Sequence, residues 1–376
     1  MADVYEQLGV PTVVNAAATF TAIGGALMPP EVLDAMRAAA AHNVDMHELH
    51  RAAGRRIAEL TRNEAAYVTG GCAAGIVLAI LAARNGGDPQ VITDWPGHHE
   101  ARHEVIMHAA HRIPYDPAVM LAGGVIRQIG DMFQTFPWQL EGAINDRTAA
   151  VLYVAGTHVP QTALPLEVVC DIAHRHGVPV IVDAAAQLPP ADNLWRFTRE
   201  CAADVAVFSG GKGLRGPQSS GLMVGSSAFI EAARQNGAPY QRWARALKVG
   251  KEEIVGLTAA VERFVTMDHA AMRRRSQADC EAWVTALAGL EGVDATIEAT
   301  NEAGQSLPRV HVTVSPPADA ARMTAFFDAA SPRLAVYPDA PLGVVRGFWI
   351  TPELVERQCL GYVVETIRHA HAASTG

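Results

Sequence analysis

Two short apolar runs constrain this chain more than any other feature. Val180-Ile181-Val182 ends on Asp183, and Val205-Ala206-Val207-Phe208-Ser209 runs into a glycine-rich turn that carries Lys212. Unbroken apolar runs of this length read as strands covered on both faces. Strand and helix patterns alternate ahead of them. Strands are expected at 66–68, 90–93, 125–129 and 149–154. Helices are expected to open after Pro29-Pro30, to run from Met46 to Leu60 and from Ile76 to Ala83, to start after Pro137, and to span Leu166 to His176, where Gly177 supplies a C-cap. This alternation predicts an α/β fold: a mostly parallel central sheet with helices on both faces and ligands at the carboxyl ends of the strands. Thr157, Asp183 and Lys212 fall at such ends.

The turn Gly210-Gly211-Lys212-Gly213-Leu214-Arg215-Gly216 admits several readings. Gly211 to Gly216 fits G-x-G-x-x-G in form. Pro217 and the strand-like Gly221-Leu222-Met223-Val224-Gly225 follow it, however, where a dinucleotide site needs a helix. A P-loop would need glycine at 206 and serine or threonine at 213, where the chain has Ala206 and Gly213. A solvated lysine among glycines is the ordinary alternative. Against it stands Asp183. A strand-end aspartate with a strand-end lysine is the pairing that pyridoxal 5'-phosphate chemistry requires. The lysine amine forms the Schiff base, and the carboxylate keeps the pyridine nitrogen protonated. Upstream, Thr69-Gly70-Gly71-Cys72-Ala73-Ala74-Gly75 opens an apolar helix. Its small residues leave the first-turn N–H groups open to a phosphate, and they equally suit close helix–sheet packing.

At 376 residues the chain is long enough for a large domain and a smaller one. With 49% hydrophobic and 18% charged residues it has the composition of a soluble globular enzyme. A formal net charge of −9 disfavours nucleic acid and anionic membrane as partners. The five cysteines, Cys72, Cys170, Cys201, Cys280 and Cys359, are odd in number and lack C-x-x-C spacing, so neither a disulfide framework nor a zinc site is expected. No signal-peptide pattern or membrane-length apolar run is seen, and the expected location is the cytoplasm.

After Gly250 the pattern changes. Residues 251–290 read as mainly helical; short strands near 294–298, 309–314, 333–337 and 343–350 then interleave with helices at 317–328 and 352–372. The expected organisation is an N-terminal arm at 1–30, a large domain at 31–255 and a small α+β domain at 256–376.

The 15 histidines invite a metal reading. His103-Glu104-Val105-Ile106-Met107-His108 overshoots H-E-x-x-H by one residue, and His47-Glu48-Leu49-His50 falls short by one, so no metal is expected. A flat side chain is expected over the cofactor ring, from the segment after the strand that follows the phosphate loop. With that strand at 90–93, the candidates are His98, His99 and His103; each is as readily a surface or supporting residue, and His103 is carried as a cofactor-binding candidate with the stacking residue left open.

Several stretches together resemble the selenocysteine synthase-like branch of fold-type I pyridoxal phosphate enzymes, and within it the D-glucosaminate-6-phosphate ammonia-lyase-like group. Three are specific: Val182-Asp183-Ala184-Ala185-Ala186-Gln187-Leu188-Pro189-Pro190, the lysine turn from Phe208 to Gly221, and Leu247-Lys248-Val249-Gly250-Lys251-Glu252-Glu253-Ile254-Val255-Gly256-Leu257. Three are suggestive: Val44 to Leu49, Val68 to Gly75, and His111 to Asp116. The resemblance implies a fold-type I transferase fold and a homodimer at least, with the loop Arg245 to Lys251 offered to the neighbouring subunit. It implies Lys212 as the Schiff-base lysine, Asp183 as the pyridinium partner and Gln187 at the ring hydroxyl. Ser209 would reach the phosphate beside Gly71, Cys72 and Ala73, and Arg215 and Lys248 would meet anionic substrate groups. The departures are Gly71-Cys72-Ala73, where Ser-Gly-Ala-like residues are expected, and the histidine-rich stretch Trp95 to His103. The resemblance also puts a carboxylate anchor in or near the small domain. Arg346, in the strand predicted at 343–350, is the candidate; an edge-strand charge that discourages aggregation explains it as well, and Arg215 is the rival anchor.

The implied activity is that of a pyridoxal phosphate lyase on an amino acid or amino-sugar acid. It would proceed through an α-carbanion, with α,β-elimination releasing ammonia and a 2-oxo acid. Racemisation or epimerisation, aldol cleavage and β-replacement use the same groups and stay open. A catalytically silent binding module is disfavoured because Lys212 and Asp183 are both present.

Overall fold

The computed structural model describes residues 4–94 and 102–375. In chain order the strands are β1 (Val13–Asn15), β2 (Ala65–Thr69), β3 (Glu104–His108), β4 (Val125–Ile129), β5 (Thr148–Val154), β6 (Val180–Asp183), β7 (Val205–Ser209), β8 (Gly221–Gly225), β9 (Val293–Glu298), β10 (Arg309–Val314), β11 (Arg333–Ala335), β12 (Tyr337–Asp339) and β13 (Gly347–Ile350). They divide between two compact units, Met28–Met267 and a second made of Met1–Leu27 with Asp268–Gly376.

The larger unit is built on a seven-stranded sheet in the order β2-β8-β7-β6-β5-β3-β4. Neighbours from β7 through β4 pair in parallel, while β8 runs against both β7 and β2. The apolar runs are buried on both faces, as their composition demands. Val205 and Val207 pack into one core, and Ala206 and Phe208 into the other. The helix Cys72–Asn85 is apolar almost all round, with Ile76 through Ala82 buried, and it fills the centre of one face. The amphipathic helices Met46–Thr61, Leu166–Arg175 and Lys251–Thr266 contribute to the other core. This is the fold-type I architecture.

The smaller unit carries the antiparallel sheet β12-β13-β10-β9, covered by helices His269–Leu287, Pro317–Ala329 and Leu360–Thr375. Its second, two-stranded sheet pairs β1 with β11 in parallel. The N-terminal segment is therefore part of this unit, because Val13 to Asn15 find their backbone partners at Arg333 to Ala335. The helix Lys251–Thr266 stays with the larger unit, where it packs on helices Pro30–Ala40 and Met46–Thr61.

Local expectations differ from the structure in several places. Residues 90–93 form part of a helix, Pro89–Asp94, started by Pro89 and by the Asp88 carboxylate accepting the Gln90 N–H at 2.7 Å. The strand that follows the phosphate-loop helix is β3, inside the stretch whose histidines drew a metal-motif reading. The strand predicted at 343–350 is confined to β13, because Pro341–Gly343 is a 3-10 turn in which Leu342 has a left-handed backbone. The helix predicted from 352 begins at Leu360, after two 3-10 turns.

Candidate active site

Asp183 closes β6 and lies opposite Val207 of β7. Its Oδ1 accepts the Ala185 N–H at 3.0 Å and faces the Cys72 thiol at 3.7 Å. Burial pushes its carboxyl above the usual carboxylate range. The Ala185 N–H, the Lys212 charge, the Cys72 bond and His158 pull the other way. Lys212 follows β7 in a turn folded back on itself. The Arg215 N–H donates to the Lys212 carbonyl at 2.8 Å, and the Gly216 N–H to the Gly210 carbonyl at 2.8 Å. Gly213 is required by close approach: a Cβ there would sit 1.9 Å from the Leu188 carbonyl oxygen. The turn is thereby seated on the segment that follows Asp183. Lys212 acts electrostatically on both Asp183 and Cys72, so these three side chains converge.

The helix Cys72–Asn85 begins at Gly71, whose φ of 117° no ordinary side chain favours, and no side chain caps it. The N–H groups of its first turn, at Cys72, Ala73 and Ala74, therefore lack intrahelical acceptors, and with the helix dipole they make an anion seat. The Thr69 hydroxyl shapes the loop by donating to the Gly71 carbonyl at 2.9 Å. Gly221, at the head of β8, lets the loop close, since a Cβ there would lie 2.4 Å from the Gly71 carbonyl carbon. Ser209 and Thr69 flank Gly221 in register on its two sides, which puts Ser209 at the same edge as the anion seat. The loop carrying Lys248 runs beside it: a Cβ at Gly70 would meet the carbonyl oxygens of Leu247 at 2.9 Å and Lys248 at 3.2 Å. The Lys248 side chain is exposed.

The histidine expectation needs correction. His103 stands before β3, and its N–H donates to the carbonyl of Arg147, the residue ahead of β5, at 2.8 Å. It thus lies at the amino ends of the strands, away from Asp183. His98 and His99 fall outside the described residues. With β3 as the strand after the phosphate helix, the segment that follows it is Ala109–His111. His111 is buried, its Nδ1 accepts the Val154 N–H at 3.2 Å, and its ring meets Tyr153 edge-on at 4.5 Å. Burial, with the nearby His108 and His158, holds its pKa down at about 3. At neutral pH it is therefore a flat, uncharged ring with its proton on Nε2.

His158 follows β5, and the sequence reading missed it. A Cβ at Gly156 would lie 2.5 Å from His158 Nδ1 and 2.4 Å from Gln187 Nε2, so only glycine lets both side chains approach there. His158 acts on Asp183 and on His111 alike. The available signal was a histidine just past a predicted parallel strand whose Thr157 already stood at a carboxyl end. Gln187 is buried, and its Nε2 donates to the Ala186 carbonyl at 3.1 Å. Arg215, half-buried with a φ of 56°, leaves the lysine turn. Arg346 belongs to the smaller unit. It is exposed just ahead of β13, and its N–H donates to the Asp339 carbonyl at 2.7 Å.

These residues fit pyridoxal phosphate. Among the described residues, both hydrogen bonds to the Asp183 carboxylate fall on Oδ1, which leaves Oδ2 for a ring nitrogen. Lys212 supplies the amine and the helix start at Gly71 the phosphate seat, and His111 offers a neutral ring.

Comparison with known proteins gives the family. Residues 13–275 match the family model of L-seryl-tRNA selenium transferase. The D-glucosaminate-6-phosphate ammonia lyase of Salmonella typhimurium is 33% identical over 318 residues, covering 83% of this chain and 82% of that protein. The 5'-C-glycyluridine monooxygenase-decarboxylase of a Streptomyces species is 34% identical over 323 residues, covering 84% and 78%. A solved D-glucosaminate-6-phosphate ammonia-lyase superposes over 100% of both chains with a TM-score of 0.87 at 30% identity.

Proposed function

This chain belongs to the L-seryl-tRNA selenium transferase family of pyridoxal phosphate enzymes, and from that premise we propose that it is a lyase that removes ammonia from an amino acid or amino-sugar acid by α,β-elimination. The observation that carries the reading is the convergence of Lys212, Asp183 and Cys72 at the carboxyl ends of β6 and β7. The cofactor, when bound, supplies a covalent hold on the substrate amine and an electron sink. Asp183 would hold a proton on the ring nitrogen through Oδ2. The N–H groups at Cys72 and Ala73, with Ser209, would hold the phosphate. His111 would offer its flat ring to the cofactor, and Gln187 would meet the ring hydroxyl. Lys212 takes the proton from the substrate Cα. His158 stands at the same edge, and as an acid it would give a proton to a departing β-oxygen. Loss of the Cα proton and the β-hydroxyl releases one water. Hydrolysis of the resulting enamine consumes one, so the net products are ammonia and a 2-oxo acid.

The match to the amino-sugar acid lyase supports this substrate class, in sequence over 82% of that protein and in structure over 100% of the solved chain. A second reading rests on the Streptomyces relative, whose name specifies oxygenation and decarboxylation. One assay separates the two. The protein, loaded with pyridoxal phosphate, is offered D- and L-amino acids and phosphorylated 2-amino-sugar acids. Ammonia and 2-oxo acid are measured alongside oxygen uptake and carbon dioxide. Ammonia without oxygen uptake is the expected result. Oxygen-dependent release of carbon dioxide would favour the second reading, and proton exchange at Cα without ammonia would mark a racemase. Borohydride should fix the cofactor on the peptide containing Lys212; a label on Lys248 or Lys251 would overturn the site.

A further inference from the structure

The first residue of the phosphate helix is a buried cysteine held between two strands. Cys72 Sγ lies 3.7 Å from Asp183 Oδ1 and 3.6 Å from the carbonyl oxygen of Val207. Asp183 and Val207 are themselves opposite each other across the β6–β7 ladder. One side chain therefore ties the anion seat to the strand end that carries the carboxylate. A thiol has a single proton to donate and two acceptors within reach, and a carboxylate is the stronger acceptor. Burial and the nearby carboxylate both raise the thiol pKa, so the group stays protonated and remains a donor.

We propose that Cys72 is a positioning residue: its S–H bond to Oδ1, together with the Ala185 N–H, fixes the plane of the Asp183 carboxylate and turns Oδ2 to the ring nitrogen of the cofactor. The proposal rests on the pyridoxal phosphate reading given above. With Ala185 as the lone donor, the carboxylate can pivot about one hydrogen bond and bears its charge, far from water, with less compensation. The other groups that act on Asp183 are the Lys212 ammonium and His158, and both stay in place when Cys72 is changed.

The test begins with the cofactor-free protein, labelled with carbon-13 at the aspartate carboxyl groups and titrated by NMR. The Asp183 signal is assigned by its loss in Asp183→Asn. Cys72→Ala should raise the Asp183 midpoint by roughly half a unit to one unit, the size of one modest hydrogen bond. Cys72→Ser keeps a donor and should bring the midpoint back to the wild-type value or below. Thermal melts establish that both variants are folded. A Cys72→Ala midpoint equal to wild type, or equal shifts in the alanine and serine variants, would overturn the proposal. The second arm uses pyridoxal phosphate labelled with nitrogen-15 in the ring. Its shift reports ring protonation, and Cys72→Ala should lower the pH at which the ring loses its proton, with serine restoring it. An unchanged ring signal beside a shifted carboxyl would show that the bond exists without orienting the cofactor, and would reject the positioning role. Failure of borohydride to link the cofactor to Lys212 would instead strike the underlying reading, whatever the carboxyl titration shows.

Discussion

At the scale of single residues, the site depends on charges held where water does not reach. Asp183 is buried, and in the proposed role its pull on the ring nitrogen would rest on its negative charge. Asp183→Asn preserves shape but removes that charge, and turnover should fall by several orders of magnitude with the melting temperature little changed. Steady-state kinetics beside a thermal melt checks this, and near-normal turnover would remove the electron-sink argument. The substrate carboxylate needs a cation, and a guanidinium suits it best. Arg346 and Arg215 compete for that role. Loss of the true anchor should raise KM strongly while the cofactor absorbance stays intact. An unchanged KM in Arg346→Ala with a raised KM in Arg215→Ala would assign the anchor to the lysine turn. Three histidines are also held neutral by burial: His50 and His108 have pKa values lowered to about 4 and His111 to about 3. In the unfolded chain they titrate near 6.5, so below that pH the unfolded state binds more protons. Their stabilising effect is complete above about pH 6.5 and fades as the pH falls toward 4. Urea midpoints should drop across that window. His108 has both ring nitrogens buried without a hydrogen bond, so His108→Leu should flatten the dependence.

At the scale of elements, the lysine turn is specified by what it must pass. Gly213 sits against the Leu188 carbonyl, and a methyl group 1.9 Å from that oxygen forces the turn away. Gly213→Ala should cost roughly 1–3 kcal/mol in denaturant unfolding and weaken cofactor retention, because Lys212 moves with the turn. A variant with wild-type stability and full cofactor content would show the turn to be slack. The phosphate helix obeys the same logic from the other side: Gly71 opens it, Gly221 makes room for it, and Cys72 joins it to β6 and β7.

At the scale of the whole molecule, the larger unit presents exposed apolar side chains at Met132, Phe133 and Trp138, with Trp138 stacked beside Phe136. Exposed apolar groups of this size close together are costly in a monomer. Sedimentation equilibrium should therefore find a homodimer or a larger assembly, and a fully active monomer would refute that expectation. Among the described residues, no helix is long and apolar enough to cross a membrane.

Much of the fold, and the Asp183–Lys212 pair, could be read from local pattern. The β-branched runs 180–183 and 205–209, the capped helices between strands and the glycines around Lys212 are statements about neighbours in sequence, where backbone preference and burial act together. The remainder was decided by contacts that span the chain. Residues 90–93 are the exception, because immediate neighbours, Pro89 and the Asp88 carboxylate, start a helix there; β3 is then the strand that follows the phosphate helix, and His103 stands before it. His111 is held by Val154, 43 positions away, and Cys72 meets Asp183, 111 positions away. β1 joins the smaller unit only because Arg333 to Ala335 offer it a free edge. Local propensity specifies most of the segments that become strands and helices. Which ends meet is set by sheet order and packing, and this chain's site is made where those ends meet.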